Sequence, residues 1–272
     1  MKTLKNHTIL YDAECPMCSL YTGAFQQTKM LGENGRFPYQ EMPETLCPLL
    51  NQQRAVNEIA LVNTTTGEVL YGVESLFAIL GNAWPVFKPL FRFKPFAWLM
   101  AKAYAFISYN RRVIIPPPLH AAAYPYQPSF RLRYRIAYLL VSCFITALIL
   151  SHYTPLLYPL LPAGNFYREY AICLGQLLVQ GLLVALHAGK QLWTYLGNMM
   201  TVSLAGALAL LPMLLTASLT HINPVTAAVY FAVVVALMFA EHYRRTRLLQ
   251  LNWLPTLTWV LYRVLVLYFL LA

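Results

Sequence analysis

Cys15-Pro16-Met17-Cys18 holds the residues of this chain whose types and spacing carry chemistry most directly. The pair follows the apolar run Thr8-Ile9-Leu10-Tyr11 and precedes a helical pattern. A Cys-x-x-Cys at a strand-to-helix junction is the layout of a thiol–disulfide redox site. In that layout the turn exposes the first sulfur, and the N–H groups of the new helix stabilise its thiolate. Two intervening residues let the second sulfur reach the first. Pro16 fits the first helical turn, where a missing N–H costs nothing. Cys15 is therefore the expected nucleophile, forming a mixed disulfide with a substrate, and Cys18 the resolving thiol. Asp12, at the end of the strand, has two readings. It is a buried proton acceptor for Cys18, or it hydrogen-bonds the turn.

Other readings of the cysteines stand beside this one. Structural zinc takes four ligands. His7 and Cys47 are the nearby candidates to join the pair, and their spacing matches no zinc pattern, so no metal is expected. The pair could also be inert and buried. Cys47, just before Pro48, is either a third redox cysteine or a small buried apolar residue.

The elements that must position the pair are legible in outline. Residues 7–11 read as a strand and 16–31 as a helix ended by Gly32. Residues 36–40 read as a strand, 43–54 as a helix and 58–63 as a strand. Thr64 to Gly67 form a turn, 68–71 the returning hairpin strand, and 73–80 a helix stopped by Gly81-Asn82. This β-α-β-α-β-β-α order is that of an α/β thioredoxin-like domain. Val56-Asn57-Glu58-Ile59 stands where thioredoxins carry a cis-proline.

Asp12-Ala13-Glu14-Cys15-Pro16-Met17-Cys18 resembles the D-x-x-C-x-x-C signature of the DCC family of thiol-disulfide oxidoreductases (DUF393). Leu70-Tyr71-Gly72-Val73-Glu74-Ser75 resembles the family's G-x-E-A/S segment. Tyr104, Ile107 and Asn110-Arg111 resemble its closing Y-x-x-I-x-x-N-R. The resemblance covers roughly residues 5–115. It implies dithiol exchange at Cys15 and Cys18 with a protein or small-thiol partner, without a bound cofactor.

Composition divides the chain in two. It has 272 residues, of which 58% are hydrophobic and only 11% charged, too apolar for an ordinary soluble protein. The acidic residues concentrate in the first 75 positions. The expected organisation is a domain over 1–115, a Pro-rich linker over 116–130 and a helical transmembrane domain over 131–272. Five apolar spans are expected, at roughly 134–152, 170–188, 193–216, 222–240 and 254–272. The net charge of +10 does not point to nucleic acid, because Lys and Arg flank apolar spans; the expected large partner is the lipid bilayer. Arg131, Arg133 and Arg135, then Lys190, then Arg244, Arg245 and Arg247 fall on one side. By the positive-inside rule this places the N-terminal domain in the cytoplasm of a bacterial cell, anchored in its inner membrane. The N-terminus shows no signal peptide.

Residues 84–115 interleave aromatic and basic side chains, among them Trp84, Lys88, Phe91, Arg92, Phe93, Lys94, Trp98 and Lys102. That composition fits a membrane interface and also fits core helices with solvated charges. Within the spans, His187, Lys190, Glu241, His242 and Arg263 read either as a quinone-binding or proton-relay cluster or as interfacial anchors. Cys143 and Cys173 read as helix-packing residues or as a thiol relay. A different class of function follows from these groups: a transporter or lipid/quinone-binding module with a redox-sensing thiol domain.

Overall fold

The computed structural model describes residues 2–41, 50–118 and 127–272. Two compact units divide the chain, Met1–Tyr134 and Arg135–Ala272.

The first unit is a mixed α/β domain. Its elements are β1 (His7–Tyr11), α1 (Pro16–Gln27), β2 (Arg36–Pro38), α2 (Gln52–Asn57), β3 (Ala60–Asn63), β4 (Val69–Tyr71), α3 (Val73–Ala83), α4 (Lys88–Arg92) and α5 (Lys94–Ile114). The sheet runs β2-β1-β3-β4. β1 pairs parallel with β2, with Ile9 opposite Arg36, and antiparallel with β3, with Ile9 opposite Leu61. Strand residues alternate faces, and both faces are covered. Ile9 and Leu61 join Met30, Leu31 and Ile79 on one side. Leu10, Ala60 and Val62 join Tyr39, Ala55 and Val56 on the other. Fully burying a side chain such as Leu61 contributes about 1.5–3 kcal/mol, so this two-sided packing fixes where β1 ends and the cysteine turn begins.

Several boundaries differ from the sequence expectation. α1 stops at Gln27 rather than residue 31, because Lys29 takes the left-handed position (φ 58°). The N–H groups of Met30 and Leu31 then both return to Phe25 O, at 2.9 and 3.1 Å. β2 ends at Pro38, and Tyr39–Glu41 form a 3-10 turn that presents Gln40 to the cysteine turn. α3 continues through Gly81 to Ala83, since Gly81 packs under Lys88 and Phe91. Much of the helix expected over 43–54 lies outside the described residues, as does Cys47.

Gly72 links β4 to α3 at φ 58° and ψ −128°, a conformation open essentially only to glycine. A Cβ there would stand 2.7 Å from Glu58 Oε2 and 3.3 Å from Tyr104 Cε1. Gly72→Ala is therefore expected to cost about 1–3 kcal/mol, read as a lower thermal midpoint of the purified protein. An unchanged midpoint would contradict it.

Part of the aromatic and basic segment is core. Phe77, Phe91 and Phe96 stack on one another, with Phe77 and Phe91 centroids 4.4 Å apart. The far end of α5 is core, with Ser108, Asn110, Arg111 and Val113 buried. Residues 84–90 and most of 92–103 are exposed.

The second unit is all-helical: α6 (Leu132–Tyr153, which begins just before the division), α7 (Arg168–Ala188), α8 (Leu192–Ala217), α9 (Pro224–Leu248) and α10 (Leu254–Leu271). Among the described residues, four helical stretches are long and apolar enough to cross a membrane: Leu132–Leu157, Arg168–Ala217, Pro224–Leu248 and Leu254–Leu271. Sequence reading expected five spans. The difference lies in the second stretch, which contains α7 and α8 joined by a single 3-10 turn, Gly189–Gln191. The two helices fold back on each other there, with Tyr195 OH donating to Gln180 Oε1 at 2.8 Å. Gly206 faces Met238, and its lack of a side chain lets α8 and α9 approach closely.

Candidate active site

The cysteine turn begins where β1 runs out. Cys15 is the N-cap of α1, with extended backbone (φ −97°, ψ 106°), and Pro16 takes the first helical position. Its Sγ accepts from Cys18 N–H at 3.5 Å, and its own N–H donates to Asp12 O at 3.1 Å. Both cysteines are free thiols.

Sequence reading expected an exposed first sulfur; instead Cys15 is 0% and Cys18 2% exposed. The turn is clasped from two sides. Gln40 Oε1 accepts from Ala13 N–H at 3.1 Å, while Gln40 Nε2 donates to Asp12 Oδ1 at 2.8 Å. From the other side Arg112 Nη2 bridges Asp12 Oδ2 and Glu14 Oε2, each at 3.2 Å.

Asp12 lies at the centre of this arrangement. Oδ1 also accepts from Glu14 N–H at 3.1 Å, and Oδ2 also accepts from Arg111 Nη2 at 3.2 Å. Burial acts to raise its pKa, but Arg111, Arg112 and the Gln40 hydrogen bond outweigh it, so the carboxyl sits below its ordinary value. Of its two sequence readings, the hydrogen bond to the turn is present as geometry. Both carboxylate oxygens already hold donors.

Arg111 is 5% exposed and comes from α5, far along the chain. Besides Asp12 it donates to Val56 O (2.6 Å), Asn57 O (3.0 Å) and Ser108 Oγ (3.1 Å). Val56 and Asn57 close α2 just before β3. Burial opposes the charge of Arg111, yet Cys18, Cys15 and Asp12 outweigh it and keep the guanidinium firmly protonated. The sequence flagged Asn110-Arg111 only as part of a motif and assigned it no role beside the thiols. Gln40 carried no signal at all. Other motif residues are structural: Tyr104 Oη accepts from Ile59 N–H at 3.0 Å, and Ser75 Oγ donates to Leu70 O at 2.9 Å.

These neighbours separate the two thiols. Cys15 is lowered from about 9.0 to about 6, first by the proton that Cys18 donates to its sulfur, then by Arg111 and the Cys18 N–H, against burial and Asp12. Cys18 is raised, first because it is that donor and next because it is buried. One sulfur ionises near neutral pH while the other keeps its proton, a division suited to attack followed by resolution.

The remaining candidates lie elsewhere. His7 sets Nδ1 2.7 Å from Lys5 O, and among the described residues no three His, Cys, Asp or Glu side chains converge as metal ligands. Cys143 and Cys173 are free thiols in α6 and α7. The charged and imidazole groups of the helical unit do not form one cluster. His187 and Lys190 line a cavity of about 530 Å³ with Gln250, Asn252 and Thr258. Glu241 pairs with Arg244 and Arg245, at 2.6 and 2.7 Å. α9 runs on to Leu248, so His242 sits inside the helix instead of ending it. His242 is buried, hydrogen-bonded to Tyr195 and Thr256 and stacked on Trp259. Arg263 lies against Trp259, 4.3 Å from the ring centroid.

Residues 9–117 match a family of thiol-disulfide oxidoreductases, which sets the class of the N-terminal domain. The family is the DCC1-like one, and this chain carries a DCC1-like thiol-disulfide oxidoreductase domain fused to an all-helical region with membrane-length apolar helices. No curated protein and no solved structure matches the chain.

Proposed function

We propose that the domain is thioredoxin-like and that Cys15 and Cys18 are its redox pair. The Cys15 thiolate attacks one sulfur of a partner disulfide. A Cys15–partner bond forms, and the partner's other sulfur leaves as a thiolate that takes a proton from water. Cys18 then gives its proton to water and attacks Cys15 Sγ. The mixed disulfide breaks, the partner's second thiolate leaves, and Cys15–Cys18 becomes the disulfide. Two electrons have passed from the protein to its partner. Attack requires the buried Cys15 Sγ to become accessible to the partner.

The observation that carries this reading is the buried Arg111 beside a cysteine pair in which Cys15 is lowered to about 6. The sheet order β2-β1-β3-β4 with mixed strand directions supports the thioredoxin-like assignment. The partner is a thiol or disulfide of a protein or small molecule. In a reducing cytoplasm the resting form is the dithiol, which favours reduction of partners.

The helical unit is read as crossing the membrane five times. A stretch of 50 residues spans ~75 Å as continuous helix, against a hydrocarbon core of ~30 Å. The turn at Gly189–Gln191 and the Tyr195–Gln180 bond support two crossings there. Lys190 then lies on the same side as Arg244 and Arg247, and the positive-inside rule puts that side and the N-terminal domain in the cytoplasm.

The test is a redox titration of the purified full-length protein, with thiol alkylation read as a mass shift. One two-electron transition between roughly −270 and −200 mV, lost in both Cys15→Ser and Cys18→Ser, is the expected result. A transition that survives either substitution, or none at any potential, would remove the assignment.

A further inference from the structure

The exposed end of the α/β domain, from Trp84 to Lys102, has the composition of a lipid-binding surface. Val86, Leu90, Phe93, Trp98 and Leu99 are 78%, 42%, 58%, 64% and 58% exposed. These side chains lie within fourteen residues of sequence, on α4, the start of α5 and the turns beside them. Soluble domains rarely expose this many large apolar side chains in one short segment unless it is a binding site. The stacked rings of Phe77, Phe91 and Phe96 face inward and hold α4 against α3 and α5, so the outward apolar residues stand on a built platform.

Charge identifies what covers it. Lys88, Arg92, Lys94 and Lys102 are interleaved with these apolar residues and are themselves exposed. None of the four forms an ion pair among the described residues. Between Glu74 and Glu169 the sequence contains no acidic residue. On α5, Lys94, Trp98 and Lys102 recur every four residues and share one face, with the Lys102 ammonium 5.8 Å from the Trp98 ring centroid. A tryptophan flanked by lysines on one helical face matches the boundary of a bilayer, where the ring sits at the headgroups and the lysine stems reach the phosphates. An acidic protein partner would meet the charges but not an apolar rim this exposed. A second copy would place like charges against each other.

We propose that α4 and the first turns of α5 lie in the interface of an anionic lipid leaflet, with Phe93 and Leu99 reaching the acyl chains, the Trp98 ring at the boundary of headgroups and acyl chains, and Lys94 and Lys102 on lipid phosphates. This goes beyond the thiol chemistry and does not depend on it. Its consequence is that the domain is held against the membrane surface at a second point besides its covalent tether.

The test uses full-length protein in nanodiscs of phosphatidylcholine with or without phosphatidylglycerol, their acyl chains brominated. The emission lost on Trp98→Phe isolates the signal of Trp98. In anionic discs Trp98 is expected to be quenched strongly by the bromines and to be shielded from aqueous acrylamide. Quenching should fall in zwitterionic discs and in the Lys94→Gln, Lys102→Gln variant. Open access of acrylamide to Trp98 in both lipids overturns the proposal. So does shielding from both quenchers, which would mean a protein cover. Equal bromine quenching in both lipids overturns the requirement for anionic lipid on which the assignment rests.

Discussion

Removing Cys18 is expected to move the ionisation of Cys15 from about 6 most of the way to its ordinary value near 9, and removing Arg111 to move it part of the way. The order follows from the causes. The proton donated by Cys18 is the largest influence lowering Cys15, and Arg111 is a smaller one. Cys18→Ala deletes the donor, whereas Arg111→Met leaves it and deletes the buried cation. With Arg111→Met the midpoint is expected to rise from about 6 by less than it does with Cys18→Ala, which lowers the thiolate fraction at pH 7. The pH dependence of iodoacetamide alkylation reads both variants directly. Arg111→Met also strips donors from Val56 O and Asn57 O and leaves Arg112 as the arginine paired with Asp12. Breaking a buried pair in this way costs about 3–5 kcal/mol. Arg111→Lys keeps the charge, so it is expected to keep the Cys15 midpoint near that of the wild type while losing part of the stability. Midpoints that stay near 6 in Cys18→Ala would sink the hydrogen-bonded pair as the cause.

The same shift has a signature in stability. Because folded Cys15 ionises below its unfolded value, the unfolded chain binds more protons between about pH 6 and 9. The dithiol form therefore gains stability as pH rises through that window and loses it again as pH falls through 6. Cys18 acts in the opposite sense above pH 9, where the unfolded thiol ionises and the folded one does not. Stability contributed by the pair should peak near pH 9 in the dithiol form and be absent from the disulfide form, which has no thiol to titrate. Thermal melts of the two forms across pH separate them.

What the sequence made legible was local. The strand His7–Tyr11, the Cys15 cap and Pro16 announce themselves within a dozen residues, because alternation, capping and proline placement are short-range effects. The apolar helices were legible from length and hydropathy alone. The clasp was not. Arg111 meets Asp12 across 99 residues and Gln40 meets it across 28, and nothing in spacing reports such a meeting. The burial of Cys15 is likewise a product of tertiary packing, which a turn read in one dimension does not report. The end of α1 was missed for a different reason, since Lys29 adopts a left-handed conformation that a glycine would have signalled.

Asp12→Asn separates the two roles that Asp12 carries. A proton acceptor for Cys18 changes how fast the mixed disulfide resolves, but it cannot change an equilibrium. A counter-ion for Arg111 changes the equilibrium. In the disulfide form Asp12 is the anion that Arg111 contacts, so losing it leaves a buried cation without a carboxylate, at a cost of about 3–5 kcal/mol. In the dithiol form the Cys15 thiolate is still near Arg111 and offsets part of that loss. Asp12→Asn should therefore destabilise the disulfide more than the dithiol and raise the reduction potential, by about 30 mV for each ~1.4 kcal/mol of difference. Cys15 should ionise at still lower pH, because Asp12 is one of the groups raising it. The carboxyl's own low pKa means that its contribution is present above the ordinary carboxylate range and is lost only as pH falls through the lowered value. At neutral pH the wild type thus has an ionised Asp12 with donors on both oxygens, well placed to hold Arg111 and poorly placed to hold a further proton. A raised potential with resolution at the normal rate is the expected result. An unchanged potential with a mixed disulfide that persists on Cys15 would instead make Asp12 the base.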